Sequence, residues 1–255
     1  MDHVDQRVSV NSRPTAARPA GPRAVGCHQH MSTENHPAQV PSDAGLGELR
    51  QAAAGCRACE LWEPATQTVF GEGPETARIV FVGEQPGDQE DRAGEPFVGP
   101  AGKLLDRALG DAAIDRRDAY ITNAVKHFRF TPTPKRRIHQ SPGAEHLRAC
   151  RPWLEAEFAV LKPEIVVCLG AVAAKALISP SFRITRERGQ LLPWTPPGVA
   201  AAEDGDDEPD EGAPAQTWML ATAHPSAILR TPDEGRAAAY DALVADLKVV
   251  AHALA

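Results

Sequence analysis

Cys56 and Cys59 form a C-x-x-C clip, the spacing at which one short turn offers two thiolates to zinc or to an iron–sulfur cluster. Cys150 supplies a third sulfur far along the chain, and the fourth donor has two candidates. Cys168 lies inside IVVCLG, an apolar run in which a thiol reads as core packing. His127 stands at the end of a predicted strand, beside the segment that leads to Cys150, and neutral imidazole binds both zinc and iron. The set that follows is Cys56, Cys59, His127 and Cys150, with Cys27 set aside in the N-terminal leader. Spacing alone does not choose the metal.

A second constellation sits where predicted strands end. Residues 78–83 run into Gly83-Glu84-Gln85-Pro86-Gly87-Asp88, a loop stiffened by glycine and proline that presents two carboxyl groups and an amide. A second strand runs into Asn123 and a fourth into His224-Pro225-Ser226. In open α/β sheets, ligands bind beyond the carboxyl ends of the strands, where these groups fall. The plain alternative for each is a turn with capping residues, and the Gly-Glu-x-Pro-Gly run is too brief to decide.

The elements that must position these groups alternate. Residues 46–56 predict a short helix leading into Cys56, and residues 78–83 (RIVFVG) a buried strand. A helix follows from Gly99, with Leu104, Leu105 and Leu109 on one face, then a second strand at 119–124. Three prolines and a basic cluster make residues 131–143 a loop. A helix over 145–161 is broken near Pro152. Residues 164–170 predict a third strand, followed by a helix from Ala171; residues 218–222 predict a fourth strand and 234–253 a closing helix. This alternation predicts an α/β fold, a three-layer α/β/α sandwich around a central, mainly parallel four-stranded sheet. Residues 1–44 read as a disordered leader, within which Met31 opens a second candidate start. Residues 45–255 read as one domain, with an acidic surface insertion at about 200–215.

The net charge of −7 argues against a polyanionic partner until its distribution is read. Seven acids, Glu203, Asp204, Asp206, Asp207, Glu208, Asp210 and Glu211, fall within residues 203–211, and without them the chain is neutral. Residues 125–151 hold Lys126, Arg129, Lys135, Arg136, Arg137, Arg148 and Arg151 against Glu145 alone, a local +6. Such a patch binds phosphates even on an acidic protein, although a solvated loop and helix face would carry the same charges. The longest uncharged apolar run, residues 165–174, is ten residues, against the roughly 20 that a bilayer span needs. The chain does not open on a basic segment followed by an apolar core, and its five cysteines are too few for a secreted disulfide scaffold. The expected location is therefore the cytoplasm, with no membrane partner.

The runs FGEG (70–73), IVFVGEQPGDQEDRAGEPFVGPAGKLLDRAL (79–109), YITNAVKH (120–127) and HPSAILR (224–230) resemble the uracil-DNA glycosylase superfamily, and within it the iron–sulfur family 4 enzymes. The resemblance covers most of residues 46–250. Two features depart from family 4. His127 stands where that family has Cys, and the segment Lys135-Arg136-Arg137-Ile138-His139-Gln140 is an insertion. Together with Glu84-Gln85 they resemble the UdgX group, whose members excise uracil and then become covalently joined to DNA through the histidine of that insertion, here His139.

The resemblance implies a [4Fe–4S] cluster on Cys56, Cys59, His127 and Cys150. It implies Phe97 as the ring that stacks on the flipped base, Asn123 as the amide that reads the uracil edge and His224 as the histidine beside the pyrimidine carbonyl. Glu84, Gln85, Asp88 and Arg137 match the remaining site residues. The expected partner is uracil-containing DNA, single-stranded or flipped from a duplex, bound by a monomer that is nucleoid-associated when engaged. The alternatives are a family 4 glycosylase that turns over with water, and a non-catalytic metal-containing protein that binds nucleic acid.

Overall fold

Short strands whose successive residues face opposite ways set the architecture, because both faces of the sheet they form are covered. The computed structural model describes residues 37–196 and 216–255. The expected acidic insertion, and the expected leader up to residue 36, lie outside the described residues. The elements run α1 (Leu46–Ala53), β1 (Ile79–Gly83), α2 (Asp88–Ala93), α3 (Pro100–Asp111), β2 (Ala119–Asn123), β3 (Phe130–Pro132), β4 (Arg137–His139) and α4 (Ala144–Leu161). They continue with β5 (Ile165–Leu169), α5 (Ala171–Leu177), α6 (Ile184–Glu187), β6 (Leu192–Trp194), β7 (Thr217–Thr222), α7 (Pro225–Arg230) and α8 (Asp233–Ala253).

The main sheet has the order β2-β1-β5-β7-β6. Its first four strands are parallel and β6 pairs antiparallel with β7. The four expected strands are all present; the fifth, β6, corrects the expected count. It is three residues long and carries Pro193, which cannot donate to a ladder and is tolerated at a sheet edge. One face of the sheet buries Val80, Val82, Tyr120, Val166 and Cys168 with Trp153, Leu154 and Phe158 of α4 and Ala173 and Ala174 of α5. The other buries Phe81, Ile121, Val167 and Leu220 with Leu105 and Leu109 of α3, Ile228 of α7 and Leu243 and Leu247 of α8. Each such fully buried Val, Leu, Ile or Phe side chain contributes roughly 1.5–3 kcal/mol. Ala38, Val40 and Ala44 also pack on the first face.

Two further expectations are corrected. Residues 131–143 are not a simple loop, since β3 and β4 form a hairpin in the register Phe130↔His139, Thr131↔Ile138 and Pro132↔Arg137. In a two-stranded ribbon every strand is an edge, so Pro132 breaks no central ladder. The helix expected to break near Pro152 runs unbroken as α4. The proline withdraws only the N–H that would bond the Arg148 carbonyl, and the buried face of Cys150, Trp153, Leu154, Glu157, Phe158 and Leu161 holds the helix together. No helix among the described residues is long and apolar enough to cross a membrane.

Candidate active site

The carboxyl ends of β1, β2 and β7 converge. Gly83 closes β1 in register with Asn123, the last residue of β2. A Cβ at position 83 would run into Asn123 Oδ1 and come within 2.8 Å of the Phe97 ring, so glycine keeps open a flat slot between the two. Phe97 sits at φ 58°, a left-handed conformation rare for a phenylalanine. Gly102 of α3 allows that turn, since a Cβ there would overlap the Phe97 carbonyl. The Phe97 ring lies 5.7 Å from the His224 ring, tilted by 34°.

His224 is the N-cap of α7, and its Nδ1 accepts the Ser226 backbone N–H at 3.1 Å. The proton of the neutral ring is therefore on Nε2, free to donate. Burial, reinforced by Arg230 and His139, lowers the His224 pKa to about 4, so the ring is neutral at pH 7. Asn123 Oδ1 and Glu84 Oε1 are both buried with no hydrogen-bond partner among the described residues. Orphaned acceptors are costly in a fold and are characteristic of a site shaped for a ligand.

The β3–β4 hairpin carries His139 to this slot. His139 Nε2 stands 4.0 Å from Glu84 Oε1, and its ring lies 5.9 Å from that of Phe128. Burial lowers the His139 pKa and Arg230 adds to this, while Glu84 opposes both. Arg137 locks the hairpin down. Its Nε donates to Asp88 Oδ1, its Nη1 to Asp91 Oδ2 at 2.6 Å and to Thr66 Oγ1 at 3.1 Å, and its plane lies over Phe128 and Phe130. Burial works against ionising Asp88, but Arg92 and Arg137 outweigh it and hold the carboxyl below its usual range. The Gln85 side chain clamps both ends of the hairpin. Its Nε2 donates to the Arg129 and Gln140 carbonyls at 3.1 and 3.0 Å, and its Oε1 accepts the Arg129 N–H at 3.2 Å. Its amide is thus committed to backbone, unlike the open amide of Asn123.

The four expected metal ligands are brought together only in part. Cys59 and Cys150 pack in one small buried cluster, and their interaction lowers the Cys59 pKa to about 7 and raises that of Cys150. Cys56 Sγ accepts the Trp153 indole N–H at 3.2 Å, one turn along α4 from Cys150. Cys150 Sγ in turn accepts the Lys126 N–H at 3.5 Å. Among the described residues no three His, Cys, Asp or Glu side chains converge as they would around a single ion. The donor chemistry nevertheless fits a resident metal group. Thr68 Oγ1 donates to the Ala53 carbonyl at 3.0 Å and so accepts from His127 Nε2 at 2.8 Å. That leaves the His127 Nδ1 lone pair buried without a partner, and an imidazole oriented through its other N–H is the usual arrangement of a ligating histidine. Burial lowers the His127 pKa to about 4 against the pull of Asp91, keeping that lone pair free. Cys168 is buried, 3.7 Å from Met219 Sδ, with its pKa raised by burial, as a core thiol.

Residues 70–248 match the family described as the uracil DNA glycosylase superfamily. The chain belongs to that superfamily. It is 34% identical over 187 residues to the Type-4 uracil-DNA glycosylase of Pyrobaculum aerophilum, covering 73% of this chain and 86% of the relative. It is 41% identical over 140 residues to the Type-4 uracil-DNA glycosylase of Thermotoga maritima, covering 54% of this chain and 69% of the relative. The superfamily match takes in the whole slot, His127 and Cys150, and begins after the Cys56–Cys59 clip.

Asp91 and His146 of this superfamily member had no role in the sequence reading. Asp91 is fully buried and accepts both the Thr66 N–H and Arg137. Its signal was the Asp88–Asp91 spacing, one helical turn, facing a basic segment. His146 at the start of α4 joins Glu60, next to Cys59, at 2.6 Å, so it braces the cysteine turn from behind. The sequence carries no local signal for that contact, which spans 86 residues.

Proposed function

We propose that the protein excises uracil from DNA and then becomes joined to the strand through His139. Its partner is uracil-containing DNA, extruded from a duplex or single-stranded, because a stacked base cannot reach the slot. Phe97 stacks on the extruded base. Asn123 accepts the uracil N3–H at Oδ1 and donates from Nδ2 to O4; cytosine presents a donor in place of O4 and leaves both sides mispaired. The glycosidic bond breaks with its electron pair passing to uracil, and His224 Nε2–H stabilises the anion.

The observation that carries the covalent step is the facing of His139 Nε2 and the unpartnered Glu84 Oε1 at 4.0 Å. One ring nitrogen of neutral His139 donates its lone pair to C1′, the imidazolium keeps its remaining N–H and turns it to Glu84, and the departing uracil anion takes up a proton from solvent water. Arg137, Asp88, Asp91 and Gln85 fix the hairpin that aims the ring. Cys56, Cys59, His127 and Cys150 would hold a [4Fe–4S] cluster, which supplies a cross-link between the cysteine turn, the end of β2 and α4.

A second reading has support in the Type-4 relatives: water captures C1′ and the enzyme turns over. Mixing the protein with a uracil-containing oligonucleotide and denaturing the mixture separates the two. The covalent reading expects a band heavier by the strand without its uracil. A stable product released in large molar excess, with no shifted protein, supports the second reading instead.

A further inference from the structure

The uracil slot is backed by a buried ion pair that the chemistry above does not use. The side chains of Lys126 and Glu157 are 1% and 0% exposed, and their charged atoms stand 2.5 Å apart. All three ammonium hydrogens are engaged: Lys126 Nζ donates to Glu157 Oε2, to Thr122 Oγ1 at 2.6 Å and to the backbone carbonyl of Asn123 at 3.0 Å. Glu157 is equally saturated, accepting Tyr120 OH at 2.9 Å, Thr122 Oγ1 at 2.9 Å and the Gly71 N–H at 3.2 Å. A buried pair of this kind is a poor source of stability, since apolar residues of the same shape do as well. Its presence at this point calls for a reason of position.

We infer that Lys126 and Glu157 are positioning residues for the Asn123 amide; the inference rests on the reading of Asn123 as the group that recognises uracil. Asn123 is the last residue of β2. Where the strand ends, Lys126 Nζ takes its carbonyl, which fixes the peptide plane beyond Asn123 and with it the direction of its Cβ. Glu157 holds the ammonium from α4, two turns beyond Cys150, and so bolts the strand end to that helix. The side chain so directed presents Oδ1 beside Gly83 and Phe97, buried and unpartnered. Among the described residues its side chain makes no bond that would hold it there, so its aim depends on the backbone beneath it.

The test is a mutant cycle read in single-turnover uracil release. Lys126→Met combined with Glu157→Gln leaves no buried charge and keeps an acceptor for Tyr120 and Gly71. At saturating protein the paired change is expected to slow release by about 100-fold, the effect of misplacing a reacting group by about 1 Å. The protein concentration at half-saturation should stay within about twofold, because the phosphate contacts are untouched. In an Asn123→Ala background the same paired change should slow release no further, because its effect passes through the amide already removed. If the paired change slows the Asn123→Ala protein by the same factor as the parent, or leaves the parent unchanged, the pair does not act through Asn123 and the inference is overturned. If Asn123→Ala releases uracil at the parent rate, the reading of Asn123 itself falls, and the inference with it. Should the paired variant fail to fold, Glu157→Gln alone takes its place, with a smaller slowing expected in the parent and none in the Asn123→Ala background.

Discussion

His139 and His224 are the same residue type in one site, and their surroundings assign them different work. His224 has its Nδ1 tied to backbone and is left with one donor, Nε2–H. Among the described residues His139 hydrogen-bonds to no side chain, and it faces a carboxyl group, so a lone pair stays available. Both are less basic than a free imidazole, His224 with a pKa of about 4 and His139 below its reference value. The sign of the pH dependence follows. Neutral His139 is the nucleophile, and it is lost only when pH falls below its depressed pKa. The rate constant of adduct formation should be level from about pH 8 down to about pH 6.5 and decline below that. A rate that rises on acidification over this range contradicts a neutral nucleophile. The cysteines divide in the same way. Cys59 and Cys150 share one small buried cluster and Cys56 receives an indole N–H, whereas Cys168 faces only the core. Changing Cys56, Cys59, His127 or Cys150 to Ala should lose bound iron, read by absorbance and metal analysis. Cys168→Ala should keep it, and the opposite pattern would reverse the ligand assignment.

The hairpin is the element that separates the covalent reading from the water reading, and it is held by one guanidinium and one amide. Arg137 reaches Asp88 and Asp91 of α2 from β4, and Gln85 ties both hairpin ends to the loop after β1. Arg137→Ala leaves Asp91 fully buried without its ionic partner and frees His139 from its aim. Adduct formation should slow by about 100-fold, while uracil release, which depends on Asn123 and His224, should slow by much less. Equal losses in the two assays would show that the hairpin serves the whole site. These contacts mark where the sequence was hard to read. The parallel strands were legible because IVFVG, AYITN and IVVCL are apolar runs bounded by turn residues. The hairpin and β6 were not, because each strand has three residues and prolines sit in β3 and β6. The helix α2, DQEDRA, has no apolar face to betray it. Asn123, Glu84 and His224 were legible from their places at strand ends. Asp91, Glu157 and His146 were not, because their partners lie 46, 31 and 86 residues away in sequence.

At the scale of the whole chain, charge distribution outweighs charge total. The −7 sum coexists with a +6 segment that includes the hairpin and the start of α4. Lys135 and Arg136 at the hairpin turn and Arg148 on α4 are exposed, and Arg151 is exposed in a surface pair with Glu155 that a phosphate can replace, whereas Lys126 and Arg137 are spent on internal pairs. With about four phosphate contacts, initial noncovalent affinity for DNA should fall roughly 100-fold between about 50 and 200 mM salt. Salt-independent association would remove the basic segment from the account. Neutralising Lys135 and Arg136 should flatten the salt dependence without altering the choice of uracil over cytosine, which belongs to Asn123.

The central claim, that His139 captures the sugar, is tested most directly by locating the bond. The protein is incubated with a uracil-containing oligonucleotide, denatured, digested with protease and nuclease, and the residual deoxyribose adduct is placed by peptide fragmentation. The account predicts one modification, on the imidazole of His139, with one uracil released for each protein modified; His139→Ser should carry none and release uracil with turnover. An adduct on another residue, an adduct that persists in His139→Ser, or many uracils released per protein with no adduct would contradict it.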